Sequence, residues 1–136
     1  MFVNSFRNGS GAYRRIAIET GVTGASPYEL ILMLFDGALV SIGIARANLA
    51  IEQRAIKCEA VAKAIAIIDL GLKASLDYRR GGDLAQRLGT LYDYIVRRMV
   101  EANAHDDPQA FDEVTQLLTG LRDAWTQIRQ TEKAVS

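Results

Sequence analysis

The sequence predicts an all-α fold, an antiparallel up-and-down four-helix bundle with a short N-terminal cap segment, and three observations carry that prediction. Apolar residues recur at three- and four-residue spacing along four stretches, the pattern of helices that bury one face. Two of those stretches open on a capping side chain followed by proline, favoured chemistry for a helix start. The connections are short, and short connections force neighbouring helices to run antiparallel. No strand-like alternation and no internal repeat competes with this reading. The expected organisation is a leader over residues 1–25, one bundle domain over 26–130 and a short tail over 131–136.

The first helix opens at Ser26-Pro27-Tyr28-Glu29, with a capping serine, proline in the first helical position and a glutamate placed to close a capping box. It is expected to run to about Glu52 or Arg54. The second carries Val61, Ile65, Ile68, Leu72 and Leu76 and stops before a turn at Arg79-Arg80-Gly81-Gly82. Asp83 is expected to cap the third, whose stripe is Leu84, Leu88, Leu91, Ile95, Met99 and Ala102, ending between Asn103 and Asp106. Asp107-Pro108 opens the fourth, with Phe111, Val114, Leu118, Leu121, Trp125 and Ile128 inward and Asp112, Glu113, Thr115, Gln116, Thr119 and Gln127 outward. The leader, broken by Gly9, Gly11, Gly21 and Gly24, is expected to be mobile or loosely laid over the bundle.

Composition narrows the function. The 136 residues hold 16 basic and 16 acidic side chains, so no overall field draws the chain to nucleic acid or to an anionic membrane. The lone Cys58 forms no internal disulfide, and with no Cys/His cluster there is no zinc site, which suits a reducing cytoplasm. The N-terminus lacks the apolar stretch of a signal peptide. Asp36, Arg46, Lys63 and Asp69 interrupt the most apolar segments, so no stable membrane insertion is expected.

Catalytic chemistry is also missing. His105 sits among Asp106 and Asp107 near a helix end and reads as a solvated capping-region residue rather than a general base. Glu101 and His105 lack the Glu-x-x-His spacing of a di-iron bundle and have no counterpart, and Gly81-Gly82 has no phosphate-loop flanks. No cofactor, metal or enzymatic activity is expected. Asp69 with Lys73, and Asp93 with Arg97, read as supporting pairs within their helices. Arg79, Arg80, Arg97 and Arg98 are too few, and too well matched by acids, to bind nucleic acid.

What the chain has in surplus is apolar surface. Ile31, Phe35, Ala38, Ile42, Ala45 and Leu49 line one side of the first helix, while Met33, Gly37, Val40, Ile44, Ala47 and Ile51 line the other. A helix apolar on opposite faces has to be covered on both, and the bundle supplies a core for one. The second helix adds Ala60, Ala64, Ile67, Gly71 and Ala74 on a flank, and the third adds Ala85, Gly89, Tyr92, Val96 and Val100. Grooves floored by small residues and rimmed by larger ones suit a visiting helix. The expected partner-binding residues are therefore Met33, Val40, Ile44 and Ile51, with Ile67, Gly71, Tyr92 and Val96. The leader's Phe2, Phe6, Tyr13, Ile16 and Ile18 offer a removable cover, with Tyr13 and Ile16 as lid or handle.

Four segments, SPYELILMLFDGAL (26–39), KAIAIIDLGLKASLD (63–77), GGDLAQRLGTLYDYIVRRMVEAN (81–103) and FDEVTQLLTGLRDAW (111–125), resemble in order the helices of the flagellin-specific export chaperones, the FliS family. Ala12-Tyr13 is similar to a short aromatic element that precedes the first helix in that family. The leader before Ala12 is somewhat long for the family and the tail after Ile128 short. The resemblance implies a cytosolic four-helix bundle that binds the disordered C-terminal segment of flagellin, prevents its premature polymerisation and helps deliver it to the flagellar type III export gate. It also implies an alternative, a regulatory adaptor whose grooves hold an anti-sigma factor or another short amphipathic segment.

Overall fold

The computed structural model describes residues 25–135, with side chains described as far as Ile128. Tyr13, Ile16 and the rest of the leader lie outside the described residues. Four helical stretches follow in order: α1 Pro27–Ala47, α2 Arg54–Ala66, α3 Tyr78–His105 and α4 Pro108–Val135. A 3-10 turn, Ile51–Gln53, leads into α2, and α2 runs on through a π-helical segment, Ile67–Leu72, and a 3-10 turn, Lys73–Ser75. No strand occurs among the described residues.

The helix starts follow the capping chemistry. Ser26 Oγ accepts from the Glu29 amide at 3.2 Å, with Pro27 in the first turn. Asp107 accepts from the Gln109 and Ala110 amides at 3.0 and 3.3 Å. Two boundaries differ from expectation. α1 ends at Ala47, five residues or more short, because Asn48 leaves helical geometry and its side-chain amide donates to the Ile44 carbonyl at 2.7 Å. α3 begins at Tyr78 rather than after Asp83, since Asp77 accepts from the Arg79 and Arg80 amides at 3.0 and 3.3 Å and a first turn forms. The expected glycine turn survives as a kink inside α3, where Gly82 takes φ 52°, ψ −129°, a conformation open to glycine and strained for other residues.

Pairings between helices set the topology. Along α1 and α4, Arg46 pairs with Asp112 at 3.1 Å and Asp36 with Arg122 at 2.5 Å, while Tyr28 stacks on Trp125 with ring centroids 5.2 Å apart. As one number rises the other falls, so these helices run antiparallel. The same holds for α2 and α3, where Lys57 bonds the Asn103 carbonyl at 2.8 Å and Lys73 meets Asp93 at 2.6 Å. With α1 against α2 and α3 against α4 as well, the four close a ring around one core. Phe111, Ile42, Ile68, Leu72, Ile95, Met99, Leu118 and Val114 are its largest fully buried side chains.

Three further expectations change on folding. In the first half of α3 Leu84, expected in the core, is 65% exposed, Leu88 and Leu91 pack against the core as expected, and Ala85 and Gly89, expected on a flank, are buried beside it. Tyr92, expected on an outer flank, is 4% exposed and belongs to the core. Ala85 and Gly89 are buried because Gly81 lies against the first and Tyr78 against the second. Lys73 and Asp93, expected to pair within their own helices, instead pair with each other, and Arg97 lies 5.9 Å from the centre of the Tyr94 ring. Finally, α1 is long and apolar enough by length and composition alone to cross a bilayer, with a mean hydropathy of 1.9 over its most apolar stretch, although Asp36 and Arg46 interrupt it. In the bundle those two charges are paired to α4 and the opposite face of the helix forms core.

Candidate partner-binding surface

The outer face of α1 is built by helical phase. Leu30, Ile31, Leu34, Phe35, Ala38, Ile42 and Ala45 take the core, and the capped start at Ser26 fixes the rotation of everything that follows. Met33, Gly37, Val40, Ile44 and Ala47, spaced by three and four, are thereby turned outward as one stripe. Met33 is 41% exposed, Val40 63% and Ile44 43%, and Ile51, on the 3-10 turn beyond the helix, is 76% exposed. Scattered exposed apolar side chains are ordinary on a protein surface, whereas a contiguous stripe marks an interaction face.

Gly37 locates the stripe relative to α2. A Cβ built there would lie 3.4 Å from Ile67 Cδ1, in van der Waals contact, so the stripe borders the α1–α2 seam. Ile67 is half-buried in that seam and Gly71 is buried. Two further residues on the outward side of α2, Ile56 at 51% and Leu70 at 61% exposed, widen the apolar surface. The sequence reading missed both. Leu70 lies two residues from buried Ile68 and from buried Leu72 and so faces outward, and Ile56 lies near the start of α2.

Tyr92 and Val96 lie elsewhere. Tyr92 is core, and Val96 is half-buried on the side of α3 toward α2, with exposed Val100 one turn on. The residues expected to floor or rim the grooves are divided between an exposed α1–α2 surface and a more closed α2–α3 seam.

Electrostatics separates the seams in the same way. Among the described residues the cross-helix ion pairs join α1 to α4, α2 to α3 and α3 to α4, and the α1–α2 seam carries none. Between α3 and α4, Glu113 accepts from the Tyr94 hydroxyl and from Arg98 Nε at 2.9 Å, and Arg98 also meets Glu101 at 3.0 Å. These bonds, the tyrosine's first, hold the Glu113 carboxyl below the usual carboxylate range and push the Tyr94 phenol up. The hydrogen bond to Asp93 raises the Lys73 ammonium. A long apolar strip between polar seams can bind an apolar helix face and offers no group to transfer.

His105 and Cys58 lie away from this strip. His105 is exposed at the end of α3, and Cys58 is half-buried with its Sγ 3.6 Å from Asn103 Oδ1. No group of three His, Cys, Asp or Glu among the described residues is placed to hold a metal. Lys57, buried beside Cys58, bonds the Asn103 carbonyl and the Asp106 carboxylate and so closes the C-terminal end of α3, where a cation is favoured.

The family model of the flagellar protein FliS matches residues 9–132. The chain is 48% identical over 123 residues to the flagellar secretion chaperone FliS of Salmonella typhimurium, covering 89% of this chain and 90% of that protein. It is 39% identical over 117 residues to the chaperone of the same name from Escherichia coli, with 86% of each covered. With the Bacillus subtilis chaperone of that name it shares 33% identity over 129 residues, 95% of this chain and 92% of the relative.

Proposed function

Because this chain belongs to the flagellar protein FliS family, we propose that it is a cytosolic export chaperone that holds the C-terminal segment of flagellin on the outer face of α1 and the adjoining side of α2. The observation that carries this reading is the exposed row Met33, Val40, Ile44 and Ile51, continued by Leu70 and Ile56, on a bundle whose relatives are named flagellar secretion chaperones.

The physics of such a surface suits a segment that is disordered when free. Covering about 800 Å² on the chaperone side, at roughly 25 cal/mol per Å², gives a large gross stabilisation. Ordering the segment offsets about 2–5 kcal/mol or more of that. An amphipathic helix laid along α1 would place its own apolar residues between Met33, Val40 and Ile44. A segment bound in successive pieces is released in pieces, so the hand-over at the export gate need not break every contact at once. Occupied in this way, the segment is withheld from filament assembly.

Seeded flagellin polymerisation tests the proposal. Equimolar chaperone is expected to suppress elongation, and Ile44→Asp is expected to abolish suppression while the bundle stays folded. Elongation unaffected by the folded wild-type chain would overturn it.

A further inference from the structure

The first turn of α3 stands apart from the rest of that helix. Residues Tyr78 to Gly81 form a single turn held by Asp77, whose carbonyl accepts from the Gly81 amide at 2.8 Å and whose carboxylate accepts from the Arg79 and Arg80 amides. The chain then breaks at Gly82, the described glycine with a positive φ, and resumes as helix. One turn on its own is far below the length at which a helix is stable in water. Its position therefore depends on what it touches.

Among its contacts, two exist because a side chain is missing. A Cβ at Gly89 would lie 2.6 Å from the Tyr78 hydroxyl and 3.4 Å from two ring carbons, so the tyrosine rests directly on bare backbone two turns further along α3. A Cβ at Gly81 would lie 2.5 Å from the Ala85 Cβ, so the turn also seats its backbone against Ala85. Ala85 and Gly89 are buried, whereas Tyr78 is 45% exposed and Arg79 through Asp83 are exposed.

We infer that Tyr78–Gly82 is a latch, hinged at Gly82, that closes over a notch formed by Ala85 and Gly89. Closed, Tyr78 covers the notch. Open, it bares Ala85 and Gly89 on a flank of α3, near where Lys73 meets Asp93. The device is independent of what the α1 face binds. Segments with few buried contacts open well below the free energy of global unfolding, and this turn has that character.

Arg79 and Arg80 make the latch readable, because trypsin cleaves after them when the turn opens. Limited proteolysis of the full folded chain, with fragments identified by mass, compares this site with Arg97 in the middle of α3. Gly89→Ala, which drives the Tyr78 hydroxyl off the notch, and Tyr78→Ala, which removes the contact, are each expected to speed cleavage after Arg79 and Arg80 by roughly tenfold, the scale of one lost side-chain contact. Cleavage after Arg97 should stay at the wild-type rate. Unchanged cleavage at Arg79 and Arg80 in Gly89→Ala, or an equal rise at Arg97, would overturn the latch. Gly89→Ala carries the test even where Tyr78→Ala fails to fold, since alanine is the better residue within a helix.

Discussion

Placing a carboxylate at Val40 separates the binding face of α1 from its core face. Val40 is 63% exposed, so folding hides about a third of it. Full burial of a valine is worth roughly 1.5–3 kcal/mol, so Val40→Asp forfeits about 0.5–1 kcal/mol of transfer energy. Lower helix propensity and the like charge of Asp36, one turn earlier, add a few tenths each. The total is about 1–1.5 kcal/mol, within the range a domain of this size tolerates. Ile42, two residues along and facing inward, is 0% exposed. Ile42→Asp leaves a buried carboxylate without a partner and should cost more than about 4 kcal/mol. On the binding side, a charge desolvated at the centre of an apolar contact should cost about 2 kcal/mol or more, a weakening of roughly thirtyfold. Urea unfolding followed by circular dichroism reads the first quantity, and titration with the flagellin C-terminal segment reads the second. Binding by Val40→Asp within twofold of wild type would refute the assignment of this face. Unfolding as severe as that of Ile42→Asp would refute the phase of the helix.

Other expectations follow from particular contacts. Lys57→Met removes the bonds to Asn103 and Asp106 and should lower stability by about 1–2 kcal/mol, with faster hydrogen exchange confined to the last turn of α3. Gly37→Leu, pressed against Ile67 across a close approach, should part α1 from α2 and lower the thermal midpoint, whereas Gly37→Ala should be neutral or slightly stabilising. Glu113 has a depressed folded pKa, so its contribution is present above the unfolded carboxylate pKa and is lost as pH falls through the folded value; Glu113→Gln should flatten the acid side of the stability profile. Lys73 is shifted up, so its contribution is full below the unfolded lysine pKa and is lost as pH rises through the folded value, and Asp93→Asn should remove that alkaline slope.

Much of this architecture was legible because it rests on local chemistry. Ser26-Pro27 and Asp107-Pro108 start helices through side chains a few residues from the amides they cap, and the stripes of α1 and α4 follow from 3.6-residue periodicity. The outer row of α1 was visible for the same reason, since a second apolar face is a property of one helix. What was not legible depends on distant partners or on small residues. In α3 the leucine stripe holds from Leu88 onward, but Leu84 points to solvent and Ala85 and Gly89 are buried, because the first turn folds back with Tyr78 on the glycine. Lys57 and the Lys73–Asp93 pair join residues 20 to 49 positions apart and have no local signature.

The central claim is that the α1–α2 surface folds a disordered flagellin segment onto itself. Calorimetric titration of the native chain with that segment, with helicity followed on the same samples, tests it most directly. The account predicts tight binding near one to one, a negative heat-capacity change and a gain of helix, all lost in folded Val40→Asp. Absence of binding by the folded wild-type chain, or binding without a heat-capacity change or gain of helix, would contradict it.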